Sequence, residues 1–171
     1  LTVRAIPFTV ANSYCSEILF QNMKRTYYAI GFANDALGWE IRNMYFKGCI
    51  APKAITTIKK GTDRLQIFEG FMDFLSWQVL NPSSTSDAIV LNSLALLPRI
   101  KEQIAGYREV ESFLDNDDAG RKSFAVLKQI FPQIVDGATC YPEHKDLNEW
   151  LVAQSKIKEK QPLLPTTKRG I

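Results

Sequence analysis

From residue 65 onward, short apolar runs alternate with segments of helical period four times over. Residues 65–68 precede a helical stretch at 70–80, 88–91 precede one at about 96–105, 110–114 precede 118–130, and 134–135 precede 146–153. Runs this short and this apolar suit strands buried on both faces, and the intervening helices are long enough to cross between parallel neighbours. The expected fold class is therefore α/β: one compact parallel sheet with helices on both faces. Ligands of such sheets sit beyond the carboxyl ends of the strands, so residues at those ends are the first candidates for function.

The chain upstream of residue 65 reads differently. Tyr27-Tyr28-Ala29-Ile30-Gly31-Phe32 runs into Asn34-Asp35, and Gly38-Trp39-Glu40-Ile41-Arg42-Asn43 then alternates apolar with polar residues, the pattern of a β-hairpin. A loop marked by Gly48 and Pro52 leads to a β-prone stretch at 55–58 and a solvated turn at 59–63. Three regions are expected: a β-rich N-terminal subregion at 1–64, the α/β core at 65–154, and a basic flexible tail at 155–171 with Pro162 and Pro165 and no apolar period.

Composition narrows the function classes. At 46% hydrophobic and 23% charged, the 171 residues resemble an ordinary globular protein, and no run approaches the ~20 apolar residues of a membrane span. The opening Leu1-Thr2-Val3-Arg4 lacks the order of a secretory signal, so a cytoplasmic location is expected, and a start without Met suggests a fragment. Cys15, Cys49 and Cys140 are odd in number and far apart, which suits idle thiols rather than a disulfide framework. No cysteine pair has zinc-ligand spacing, and the single histidine, His144, is expected in a loop. Charge is segregated: residues 1–64 hold nine Lys/Arg against four Asp/Glu, 65–154 hold seven against thirteen, and 155–171 hold five against one. An acidic centre between basic flanks suits a cation site that serves a polyanion, although a solvated surface also produces such a split.

Three acidic clusters fall where the expected strands end. In Ile67-Phe68-Glu69-Gly70-Phe71-Met72-Asp73, a buried strand delivers Glu69 to the sheet edge, Gly70 permits a close turn, and Asp73 follows one helical turn on. A carboxylate favoured by the helix dipole is the plainer reading of that segment. Phe113-Leu114-Asp115-Asn116-Asp117-Asp118-Ala119-Gly120 places three carboxylates within four positions. Asp117 or Asp118 can cap the next helix, but a cap does not need three. Asp115 and Asp117, two apart in an extended segment, point the same way and could share a cation. An EF-hand loop fails because Ala119 and Val126 stand where ligands belong. The third cluster, His144-Lys145-Asp146-Leu147-Asn148-Glu149, opens the last helix, where Asp146 reads first as a cap. Carboxylates from three strand ends of one sheet would converge, and hard oxygen ligands without His or thiolate select Mg²⁺ or Mn²⁺.

Glu-Gly-Phe-Met-Asp at 69–73, Asp-Asn-Asp-Asp-Ala-Gly at 115–120 and Lys-Asp-Leu-Asn at 145–148 together resemble the Toprim domain shared by bacterial primases, topoisomerases, OLD-type nucleases and recombination proteins. The first two segments are similar to the primase forms Glu-Gly-Tyr-Met-Asp and Asp-Gly-Asp-x-Ala-Gly, with Phe71 and Asn116 as the departures. The upstream Ile30-Gly-Phe, Gly38-Trp-Glu-Ile-Arg-Asn, Tyr45-Phe-Lys-Gly and Pro52-Lys resemble strands that precede the Toprim core in primases of mobile elements. In the third segment Asn148 stands where the family has a second Asp. The resemblance covers about 26–154 and implies a Toprim-type, Rossmann-like fold and Mg²⁺-dependent nucleotidyl transfer in RNA primer synthesis on a single-stranded DNA template. It implies Glu69, Asp73, Asp115 and Asp117 as catalytic residues, Glu69, Asp115, Asp117 and Asp146 as metal ligands, and Arg42, Lys47 and Lys53 as contacts to template or nucleotide phosphates. A helicase or an upstream zinc-binding domain is the implied partner, without which the isolated chain is not expected to prime. A Toprim nuclease hydrolysing DNA, or a non-catalytic nucleic-acid or partner-binding module of a mobilisation complex, remain the alternatives.

Overall fold

The computed structural model describes residues 1–22 and 24–160. Two sheets make up the fold. The first is an antiparallel meander of β1 (Cys15–Asn22), β2 (Arg25–Ala33), β3 (Trp39–Arg42) and β4 (Lys47–Ile50), in that spatial order. The expected hairpin is β2 and β3, in register from Ile30↔Arg42 to Ala33↔Trp39. A longer hairpin of β1 and β2 precedes it, and α1 (Phe8–Asn12) precedes that.

The second sheet has the order β5 (Thr56–Ile58), β7 (Asp87–Val90), β6 (Arg64–Phe68), β8 (Glu109–Phe113), β9 (Val135–Asp136). All pairings are parallel except β5 with β7. The α/β sheet with helices on both faces is thus present, but its edge is a strand that the sequence pattern assigns to the N-terminal subregion. The helices are α2 (Phe71–Leu80), the short α3 (Lys101–Ile104), α4 (Asp118–Ile130) and α5 (Leu147–Lys160). The stretch expected as one helix at 96–105 is mostly a 3₁₀ helix, Leu94–Ile100, with Pro98 inside it. Proline lacks the backbone N–H and its ring crowds the carbonyl four residues back, which disfavours an α-helix through this stretch. Helix α5 runs to Lys160, so the tail expected from residue 155 starts as helix; residues 161–171 lie outside the described residues.

Period-two alternation divides the sheet's side chains between two cores. Leu65, Ile67, Ile89, Leu91 and Val110 face α3, α4 and the 3₁₀ helix. Phe68, Val90 and Phe113 face α2 and α5 together with the N-terminal segment. Phe32 of β2 joins this second core, stacked on Phe71 at the start of α2 with ring centroids 5.3 Å apart. Burying an aromatic ring of that size contributes about 1.5–3 kcal/mol, and here it fixes the antiparallel sheet against the helix that follows β6. Polar contacts complete the junction: Asp35 accepts from the Thr57 backbone N–H at 2.8 Å and hydroxyl at 2.7 Å, and Thr56 Oγ1 donates to Ala33 O at 2.8 Å. Among the described residues, no helix is long and apolar enough to cross a membrane.

Candidate active site

Strands β6 and β8 are parallel neighbours with Phe68 opposite Phe113, so the residues just beyond them emerge side by side. Glu69 extends the pairing by donating its N–H to Phe113 O at 3.3 Å, and its Oε2 accepts from the Asp115 N–H at 3.2 Å. Both carboxylates are half-buried. Burial raises the pKa of Glu69, and the charges of Asp115 and Asp117 add to the rise. Burial likewise raises Asp115, against the lowering effect of the Lys145 ammonium.

Asp117 has two jobs. Its Oδ1 caps α4 by accepting from Ala119 N at 3.0 Å and Gly120 N at 2.9 Å, and those bonds hold its pKa below the usual carboxylate range. Its Oδ2 lies 3.8 Å from Lys145 Nζ, which is 3.2 Å from Asp115 Oδ2. One ammonium therefore faces both aspartates. Asp118 points away and pairs with Arg121 at 2.6 Å.

Asp73, in the first turn of α2, is only 7% exposed. Burial, then the charges of Asp146 and Asp115, push its pKa well up, while the Asn148 N–H at 3.3 Å opposes the rise. Asp146 accepts from Glu149 N at 2.7 Å in the capping role its sequence position suggests. Gly70 has an extended backbone, and a Cβ there would meet nothing nearer than Asp73 Oδ2 at 3.5 Å. The turn into α2 does not depend on glycine, contrary to the sequence reading.

Glu69, Asp73, Asp115 and Asp146 line one cleft of about 220 Å³, together with Arg42 and Lys47 from the antiparallel sheet. Lys53, the third expected phosphate contact, instead donates to Glu40 Oε2 at 2.7 Å. The fit to a divalent cation follows from the donor set. It is all hard oxygen, burial together with neighbouring carboxylates raises three of its carboxyl pKa values, and a lysine ammonium sits against two of its members. Among the described residues, no three such side chains surround one point; Asp117 keeps one oxygen on the helix cap, and Lys145 lies against the other.

Several residues in and beside the cleft have no role in the sequence reading. Asn116, the departure from glycine, donates to Tyr141 O and His144 O, both at 3.0 Å, and its N–H donates to Lys145 O at 2.6 Å, so it ties the lysine's loop to Asp115. Glu40 and Asn92 also line the cleft, and each keeps one buried oxygen without a partner. The strand period that puts Arg42 in the cleft puts Glu40, two residues earlier, on the same face. Arg4 lines it too, from a segment with no motif to announce it.

The Toprim-like family profile matches residues 66–151, half of the chain, and spans every one of these strand-end carboxylates. The chain belongs to the Toprim-like family. Residues 1–51 match a family described only as a domain of unknown function. Among solved structures, the primase fragment of the bacteriophage T7 primase-helicase protein superposes with a TM-score of 0.69 at 16% identity, over 93% of this chain and 71% of that one. A second match comes from the assembly of the bacteriophage T7 lagging-strand DNA polymerase interacting with primase domains of two gp4 subunits bound to an RNA/DNA hybrid and dTTP. It has a TM-score of 0.67 at 16% identity and covers 93% of this chain and 88% of the other. No curated sequence matches the chain significantly. At such identity the likeness is one of fold, and it extends across the antiparallel sheet as well as the Toprim-like core.

Proposed function

We propose that the chain is the catalytic portion of a DNA primase of the bacterial type carried by mobile elements, joining ribonucleotides on a single-stranded DNA template. One observation carries the reading: neighbouring parallel strands deliver Glu69 and Asp115 side by side into a cleft that Arg42 and Lys47 of the antiparallel sheet also line. Residues 1–64 are the partial N-terminal region of the primase core, 65–154 the Toprim domain, and 155 onward a basic extension. The setting is cytoplasmic, with a helicase or an upstream zinc-binding domain as partner.

Asp115 and Asp117, with Glu69 and Asp146 nearby, would hold Mg²⁺ or Mn²⁺. When bound, the ion supplies charge neutralisation for a triphosphate and makes a 3′-hydroxyl easier to deprotonate. Glu69 has the chemistry of a general base for that hydroxyl, because its raised pKa brings it nearer working pH while its contact to the Asp115 N–H keeps it oriented. Asp73 is too buried to reach a substrate directly and orients its neighbours through Asn148. Lys145 balances Asp115 and Asp117 before substrate enters. Arg42 and Lys47 meet phosphates, and Lys53 holds Glu40 in place.

The test is templated incorporation of labelled ribonucleotides by the full protein with Mg²⁺ on single-stranded DNA. Short ribo-oligomers that disappear in Asp115→Asn and Asp117→Asn are expected. Shortening of end-labelled DNA without incorporation would replace synthesis by hydrolysis on the same carboxylates.

A further inference from the structure

Arg4 reaches the cleft because Asn148 holds it there at both ends. Asn148 is 1% exposed, and its Nδ2 donates to Arg4 O at 3.0 Å and to the buried Ser76 Oγ at 2.9 Å, while its Oδ1 accepts from Arg4 Nη1 at 3.0 Å. The segment 1–4 and the start of α5 are thereby pinned together across 144 positions of sequence. An amide orients the guanidinium without cancelling its charge. A carboxylate at 148, the residue the Toprim pattern leads one to expect, would pair with Arg4 and neutralise it.

Arg4 and Arg42 line the same cleft with Lys47, and among the described residues none of the three makes an ion pair. Burial and the neighbouring Arg4 both disfavour the charge on Arg42, and Asp73 and Asp146 do not make up the difference. Two guanidinium groups brought together at a cost, without an ion-pair partner among the described residues, suit an anion that the chain itself does not supply. A phosphate group accepts several N–H donors at once, which matches the planar forks of two arginines.

We propose that Arg4, positioned by Asn148, is a phosphate ligand that together with Arg42 and Lys47 receives the triphosphate of an incoming nucleotide. The assignment rests on the phosphoryl-transfer reading of the cleft for the identity of its ligand, but it is tested without catalysis. The phosphate could also belong to a nucleic-acid backbone, and the arms of the experiment separate the two.

Binding is measured by calorimetry on the full chain at low salt without divalent cations, with inorganic tripolyphosphate, ATP, adenosine and an eight-residue oligodeoxythymidylate as probes. Tripolyphosphate and ATP are expected to bind and adenosine not. Arg4→Gln weakens tripolyphosphate about tenfold, the scale of one lost charge-assisted contact, and leaves the oligonucleotide within about twofold. Arg4→Lys retains part of the affinity. Asn148→Asp, where it folds, loses tripolyphosphate binding although Arg4 is still present, an effect that a purely structural role for Asn148 does not produce. Wild-type tripolyphosphate affinity in a folded Arg4→Gln variant overturns the proposal. A loss confined to the oligonucleotide overturns the triphosphate assignment and gives the site to the backbone. Failure of primer synthesis alongside intact, Arg4-dependent tripolyphosphate binding would refute the primase reading and leave this site standing.

Discussion

Replacing Gly120 by alanine should damage the site more than the fold. Gly120 is buried in the first turn of α4, and a Cβ built there would lie 2.0 Å from Asp115 O, 3.0 Å from Asp115 C and 3.2 Å from Asp115 N. The three nearest atoms are all backbone of Asp115, so the closest contacts cannot be relieved by a side chain swinging away. Alanine gains about 1 kcal/mol over glycine in helix propensity, whereas overpacking of this kind costs about 1–3 kcal/mol, toward the upper end when main chain must move. The net loss of stability should be about 1–2 kcal/mol, read from the urea midpoint. The geometric effect is larger. The loop must retreat by about 1 Å to restore normal contact, and a misplacement of that size in a reacting constellation costs on the order of a hundredfold. Templated incorporation in Gly120→Ala should therefore fall about a hundredfold while the protein remains folded. Wild-type stability combined with wild-type incorporation would show that close packing of α4 on this loop does not position Asp115.

Two further outcomes follow from the titratable groups. Asp73 has a raised pKa, so the folded protein binds protons more tightly than the unfolded chain, and its contribution to stability falls as pH rises from the ordinary carboxylate range through the raised value. Asp73→Asn, whose amide oxygen can still accept from Asn148 N, should be more stable than wild type in metal-free buffer at neutral pH and show a shallower pH dependence; lower stability there would contradict the account. Asp87 is the opposite case. Burial raises its pKa, but N–H groups of Lys60, Gly61 and Thr62 and the Tyr107 hydroxyl outweigh burial and leave it lowered. Its stabilisation is present above the ordinary carboxylate range and lost as pH falls through the folded value. Asp87→Asn should cost about 2 kcal/mol in urea denaturation at neutral pH and progressively less in acid, and a cost independent of pH would count against it.

The parts of the molecule that could be read in advance are those where local pattern and tertiary outcome coincide. Strands β6, β7 and β8 are mostly buried and carry short clusters of apolar residues, and α4 announces its start through Asp117 and Asp118. Glu69 and Asp115 were legible because each needs only its own strand to reach the sheet edge. Strand β5 could not be placed, since Thr56, Thr57 and Ile58 look alike whether they pair with β4 or β7, and the choice is made by Asp35 and Asn92 across the junction. Helix α5 outlasts its expected end because Leu147 and Leu151 anchor it to the core and the remaining turns propagate from there. Glu40 follows from the strand period that carries Arg42, whereas Arg4 and Lys145 depend on contacts between distant segments, for which no spacing rule exists.

The claim that the carboxylates of β6 and β8 form a divalent-cation site is tested most directly by anomalous diffraction from crystals grown with Mn²⁺ and a non-hydrolysable nucleoside triphosphate. The account predicts a peak within coordination distance of Asp115 and at least one of Glu69, Asp117 and Asp146, with Lys145 moved off the aspartates, and no peak in Asp115→Asn/Asp117→Asn. A nucleotide seated in the cleft with no manganese at Asp115, or manganese bound elsewhere and unaffected by the double substitution, would contradict it.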